Sequence, residues 1–152
     1  MKETDALPTA LRLLTVREYS ETELVERLRK KGYCSTSAEA AVKRCRDLGY
    51  VDDVRFARER ARALMRNGRA VGRRILIDLR SRGIGEAAAL AAIEEAGREC
   101  SEEELIADLQ SRRFPDFSYE TADDRQRRRV VNFFLRRGFS LPLVLSFLKQ
   151  ER

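Results

Sequence analysis

The sequence predicts an all-α fold, built as three tandem three-helix repeats stacked into an elongated, curved body. Three observations carry this expectation. Apolar residues recur at three- and four-residue intervals rather than in alternation; three prolines and eight glycines in 152 residues leave long uninterrupted stretches; and one form of helix ending occurs three times. A hydrophobic share of 43% beside a charged share of 37% describes a folded chain with a heavily ionised surface. No run reads as a strand.

The recurring ending is "LRKKGY" at Leu28–Tyr33, "LRSRGI" at Leu79–Ile84 and "FLRRGF" at Phe134–Phe139. Gly32, Gly83 and Gly138 each follow a basic residue (Lys31, Arg82, Arg137) and precede a large apolar one. Glycine suits the left-handed conformation that closes a helix, and a cation in the last turn offsets the helix dipole. The match continues on both sides. Eight and seven residues before the glycine lie Leu24 and Val25, Ile75 and Leu76, Val130 and Val131. After it come Ala38, Ala41 and Val42, then Ala89, Ala92 and Ile93, then Val144, Phe147 and Leu148, each set forming one stripe of a following helix.

An earlier helix opens each repeat: Thr9 to Glu18, Asp53 to Asn67 and Glu102 to Arg112. Ser20 with Glu23 and Ser101 with Glu104 fit capping boxes, Asp52 can cap the Asp53 helix, and Ser140 precedes Pro142 in a first turn. The expected units are residues 9–50, 51–98 and 99–152; the alternative is a nine-helix globule without repeat symmetry. "RRFPDFSYETADD", Arg112 to Asp124, is the longest irregular stretch, broken by Pro115, and is expected to hinge the third unit against the second.

Several functions are disfavoured by composition. No apolar stretch approaches the roughly 20 residues of a membrane span, and "MKETDALPT" lacks the apolar run of a secretory signal, so a cytoplasmic chain is expected. Cys34, Cys45 and Cys100 are an odd set without C-x-x-C spacing, and there is no histidine. Reduced thiols are expected, with Cys45 in the core, and neither a metal site nor a cofactor. Without histidine the commonest general base is missing, and no phosphate-binding loop occurs. "GIGEAA" at Gly83–Ala88 reads as a helix end followed by a helix start, and a non-enzymatic chain is expected.

Charge is segregated along the sequence. Residues 1–54 carry 10 basic and 10 acidic residues, net 0; 55–82 carry 10 and 2, net +8; 83–124 carry 3 and 12, net −9; 125–152 carry 8 and 1, net +7. At about 100° per residue, Arg55, Arg58, Arg62 and Arg66 fall on one stripe opposite Phe56, Ala57, Ala61 and Leu64. Such a stripe is either a solvated face or a binding surface; like charges at this spacing repel unless an anion compensates them. Arg60 projects from the apolar side and is expected to snorkel or to pair with a buried carboxylate. Around the stretch "RRRVVNFFLRRG", Arg125, Arg129, Asn132 and Arg136 share a stripe, while Val130, Val131, Phe133, Phe134 and Leu135 provide an apolar arc of roughly 200°, wide enough to pack on two helices. A third helix inserted into a DNA groove is disfavoured, because Glu86, Glu94 and Glu95 occupy that helix in the second unit.

"GYVDDVRFARERAR" at Gly49–Arg62, "GRRILIDLRSRGI" at Gly72–Ile84 and "RRVVNFFLRRGF" at Arg128–Phe139 together resemble the RecX family of bacterial recombinase regulators. The most specific elements are Asp52, Asp53, Phe56 and Ala57, then Arg73, Ile75, Leu79, Gly83 and Ile84. The resemblance implies a cytoplasmic, non-enzymatic modulator that binds the RecA recombinase and its filament on single-stranded DNA. It implies that the protein lies in the filament groove, suppresses ATP hydrolysis and strand exchange, and so acts in recombination, DNA repair and the SOS response. The expected partners are RecA and, within or beside the filament, single-stranded DNA; a monomer without membrane attachment is expected. Candidate contacts are Arg55, Arg58, Arg62, Arg66, Arg73, Arg74, Arg125, Arg129 and Arg136. The alternative from residues alone is a stand-alone nucleic-acid-binding helical repeat protein.

Overall fold

The computed structural model describes residues 2–150; the expected end of the third unit, residue 152, lies outside them. Nine helices occur among the described residues: α1 Leu7–Val16, α2 Glu21–Lys30, α3 Ser35–Asp47, α4 Asp53–Arg66, α5 Arg73–Ser81, α6 Glu86–Glu99, α7 Glu102–Arg113, α8 Asp124–Arg136 and α9 Leu141–Lys149. They form an all-α repeat in three helix triplets. In the first two the third helix packs on both predecessors: α3 on α1 and α2, α6 on α4 and α5. In the last, α9 meets α7 and α8. The chain exposes 9651 Å². A compact monomer of this mass would expose about 7,900 Å², so the body is extended.

The three glycines do what their spacing predicts. Gly32, Gly83 and Gly138 have φ of 101°, 82° and 103°. At each, the residue after the glycine bonds back five residues: Tyr33 N to Leu28 O, Ile84 N to Leu79 O, Phe139 N to Phe134 O. The same ending is thus built three times, with Leu28, Leu79 and Phe134 wholly buried at equivalent places. Cap expectations mostly hold. Ser20 and Glu23 form a reciprocal capping box, Asp52 accepts from Val54 and Arg55 N, and Ser140 accepts from Leu143 N. Ser101 accepts from Glu104 N, but its hydroxyl turns to Glu103, so that box is half-formed. A second full box, Asp123 with Gln126, opens α8 and was not foreseen. α1 runs two residues earlier than expected at both ends, because Asp5 accepts from Leu7 N and Arg17 is fully extended.

The buried apolar residues form two clusters. Ala6, Ala10, Tyr19, Leu24, Leu28, Ala38, Ala41, Val42, Cys45 and Val51 fill α1–α3, which confirms Cys45 as a core residue. The other cluster is continuous from Phe56 to Leu148 and serves α4–α9 together. The two junctions differ accordingly. Between the second and third triplets, Val71 N donates to Arg137 O at 2.8 Å beside an apolar contact. Between the first and second, the buried Ser20 hydroxyl donates to Arg82 O at 2.6 Å and Glu21 N to Asp53 Oδ1 at 2.9 Å. The expectation that the 112–124 segment hinges the third unit is therefore corrected. That loop lies inside the third triplet, between α7 and α8, and its Phe114, Phe117 and Tyr119 pack on the shared core. The weakly apolar seam is the one between α1–α3 and the rest.

Asp78 organises that seam. Arg60 donates to it through Nε and Nη2 at 2.9 and 3.0 Å, Arg82 Nε at 3.1 Å, and Arg82 Nη1 reaches Glu23 Oε2 of the first triplet at 2.6 Å. The expected carboxylate partner of Arg60 is thus Asp78. Burial alone would raise the Asp78 pKa, but the bonds from Arg60 and Arg82 outweigh it and hold the carboxyl below its ordinary value. A depressed carboxylate contributes stability above its unfolded value, near 4, and loses it as pH falls through the folded value. Asp78→Asn should therefore cost about 1 to 2 kcal/mol at pH 7 and progressively less below about pH 4, for example at about pH 3. Urea denaturation at the two pH values checks this; an equal cost at both would show that the carboxylate charge is not what matters.

Candidate partner-binding surface

The four-arginine stripe of α4 is not uncompensated. Arg55 pairs with Glu18, Arg58 with Glu95 at 3.0 Å, and Arg62 with Glu99 at 2.8 Å as well as Glu59 and Glu95. The packing of α6 on α4 brings the acidic block against the basic one. This corrects the expectation that these side chains repel without an anion: three of the four tie α4 to its neighbours. Arg66, exposed at the end of α4, makes no ion pair or hydrogen bond through its guanidinium among the described residues.

The same holds for Arg73, Arg74, Arg125, Arg129 and Arg136, all exposed. Arg73 and Arg74 are the most telling. They open α5 after Gly72, whose φ is 49°, with no side-chain cap and no acidic residue in the first turn. Cations at a helix N-terminus oppose the macrodipole, and no ion pair or hydrogen bond of either guanidinium among the described residues offsets that cost. Backbone geometry then joins them to the third triplet. A Cβ built on Gly138 would run into the Val71 carbonyl oxygen and the Cβ and Cγ of Arg74, and Val71 N donates to Arg137 O, so the start of α5, with Arg73 and Arg74, lies against the end of α8, with Arg136 and Arg137.

On α8, Val130, Phe133 and Phe134 are buried while Arg125, Arg129, Asn132 and Arg136 face outward, as the stripe predicts. Arg129 also lines an open cleft of about 470 Å³ with Arg113, Phe114, Pro115, Phe117 and Val130. Two arginines were missed. Arg113 lies 5.5 Å and Arg137 3.6 Å from the centroid of the Phe133 ring. Spacing marks Arg137 only as a cationic helix end, and its stacking on a ring four residues back depends on side-chain orientation that spacing does not give. Burial, then Arg113 and Arg136, pushes its pKa below the ordinary arginine value. Arg69 and Arg128 are likewise exposed and unpaired.

No group of three or more potential metal ligands occurs among the described residues, and no helix there is long and apolar enough to cross a membrane. The three cysteines are free.

Residues 6–45 match the family model described as the first three-helix domain of RecX. The regulatory protein RecX of Syntrophotalea carbinolica is 51% identical over 149 residues, spanning 98% of this chain and 97% of that protein. That of Trichlorobacter lovleyi is 35% identical over 146 residues, spanning 96% and 95%. Two crystal structures share the fold. One of a regulatory protein RecX superposes with a TM-score of 0.76 at 24% identity, over 93% of this chain and 69% of that one. RecX from Lactobacillus salivarius superposes with a TM-score of 0.68 at 18% identity, over 95% and 93%.

Proposed function

Because the chain belongs to the RecX family of regulatory proteins, we propose that it binds the RecA recombinase and its filament on single-stranded DNA. It lies in the filament groove and inhibits ATP hydrolysis and strand exchange, and so modulates recombination, DNA repair and the SOS response. It acts as a cytoplasmic monomer without catalysis of its own, through repeats assigned to residues 9–50, 51–98 and 99–152. The observation that carries this reading is the exposed arginine set at the α5–α8 junction, above all Arg73 and Arg74, whose guanidinium groups have no ion pair or hydrogen bond among the described residues. The contact set narrows accordingly to Arg66, Arg73, Arg74, Arg125, Arg129 and Arg136. Arg55, Arg58 and Arg62 contribute by holding α4 in place.

The test is the single-stranded-DNA-dependent ATPase of RecA. Wild-type protein should suppress it. Replacing Arg66, Arg73 and Arg74 together with Ala should raise the concentration for half-inhibition at least tenfold, with thermal stability unchanged, since exposed unpaired positions are close to neutral for folding. Wild-type protein at several-fold excess over RecA without effect on ATP hydrolysis would end the proposal. Tight, steeply salt-dependent binding of single-stranded or duplex DNA without RecA would favour the stand-alone nucleic-acid reading instead.

A further inference from the structure

The half-buried arginines follow a rule that one of them breaks. Arg55, Arg58, Arg60, Arg62 and Arg82 each face a carboxylate. Arg127 is served by the carbonyls of Tyr119 and Glu120. Arg137 has one carbonyl, Phe133 O at 3.1 Å from its Nη1, while its Nε is buried without an acceptor; the Arg55 Nε is likewise buried without a hydrogen bond but has the Glu18 carboxylate 3.4 Å away. The charged groups beside it are Arg113 and Arg136, and no carboxylate among the described residues pairs with it.

The repeat shows what has changed. Arg82 is the equivalent of Arg137, each preceding its glycine, and its partners are Asp78, five residues before Gly83, and Glu23, nine residues before Gly32. The corresponding positions for Arg137 are Phe133, five before Gly138, and Arg74, nine before Gly83. Where the second triplet supplies two carboxylates, the third supplies an aromatic ring and another cation. The ring holds the Arg137 guanidinium at 3.6 Å and carries Arg113 at 5.5 Å. Stacking fixes a planar fork whose remaining N–H groups suit a carboxylate. Like charges gathered this way favour an anion from outside the chain.

We propose that Arg113, Arg136 and Arg137 form a receptor for a carboxylate side chain on an acidic segment of a partner protein, with an adjoining apolar side chain of that segment entering the neighbouring cleft. Arg113 belongs to both parts: it stacks on Phe133 and lines the 470 Å³ cleft, whose other walls include Phe114, Pro115, Phe117 and Val130. A nucleic-acid strand fits less well. Asp116 lines the same cleft, and Glu120, Asp123 and Asp124 follow along the loop, so a continuing run of phosphates would meet like charge. A single carboxylate followed by an apolar side chain does not. This inference does not depend on which protein is regulated, and its test uses no recombinase.

The full chain, with arginine side chains labelled with nitrogen-15, is titrated with three probes. They are an amidated peptide of alternating Glu and Phe, its Gln and Phe twin, and an oligothymidylate of the same charge as the first. The Glu peptide should shift the Arg137 Nε–H resonance and bind at least tenfold more tightly than either other probe. Arg113→Gln with Arg136→Gln should weaken it at least tenfold while leaving Tm unchanged, both side chains being exposed. If that double variant is destabilised, the comparison of Glu and Gln peptides on the wild-type chain decides alone. Equal binding of the two peptides, equal binding of the oligonucleotide, or an unmoved Arg137 resonance would each overturn the proposal.

Discussion

Gly138→Ala should cost about 3 to 5 kcal/mol of folding stability, far more than the change of one hydrogen to a methyl suggests. The residue sits at φ 103°, where an L side chain is disfavoured by about 1 to 2 kcal/mol. The larger part comes from its neighbour. A Cβ at this position would overlap the Val71 carbonyl oxygen, which is backbone and cannot rotate away. Relief requires α5 to move off the end of α8, which breaks the Val71 N to Arg137 O bond, worth about 1 kcal/mol, and opens the packing of buried Val71. Gly49 provides the control. Its φ of 81° is also left-handed, yet nothing lies within 4 Å of a Cβ built there. Gly49→Ala should therefore cost only the conformational part, about 1 kcal/mol. Equilibrium urea unfolding measures both; equal losses would mean that the junction adds nothing to the strain of the glycine itself.

The contrast between these glycines explains what the sequence could and could not reveal. A helix ending is local: Gly, a preceding cation and a following apolar residue specify the turn within six residues, so Gly32, Gly83 and Gly138 were legible from spacing. What presses on the turn comes from elsewhere in the chain. Lys2 bonds to Gly32, Ser20 to Arg82 and Val71 to Arg137, so each ending receives the segment or triplet before it, by a different donor each time. No pattern along the chain announces those contacts. Charge behaved in the same way. The +8 and −9 blocks were visible, but that α6 would lay Glu95 and Glu99 on Arg58 and Arg62 follows from packing between helices. A basic block followed at once by an acidic one was the available signal. The Arg113–Phe133–Arg137 cluster left less trace still, since α7 and α8 are separated by a loop whose path the sequence does not define.

Phe134→Ala should cost about 3 to 5 kcal/mol, and where the loss falls matters as much as its size. The ring is wholly buried and stands edge-on to Phe133 at 5.2 Å and Phe139 at 5.7 Å, while Phe133 meets Phe114 at 5.0 Å. Removing it deletes a large apolar surface, leaves a cavity and breaks two aromatic contacts. Because α4–α9 share one core, protection from hydrogen exchange should fall throughout those helices and persist in α1–α3. Leu28 occupies the same repeat position in the other core, so Leu28→Ala should do the reverse, loosening α1–α3 and sparing the rest. A loss spread evenly over all nine helices in both variants would mean that Ser20, Glu23, Asp78 and Arg82 couple the two cores as tightly as apolar packing would. The polar character of that seam argues against it: hydrogen bonds exchanged for water contribute little net cooperativity, whereas a continuous apolar core cannot lose one part without exposing the next.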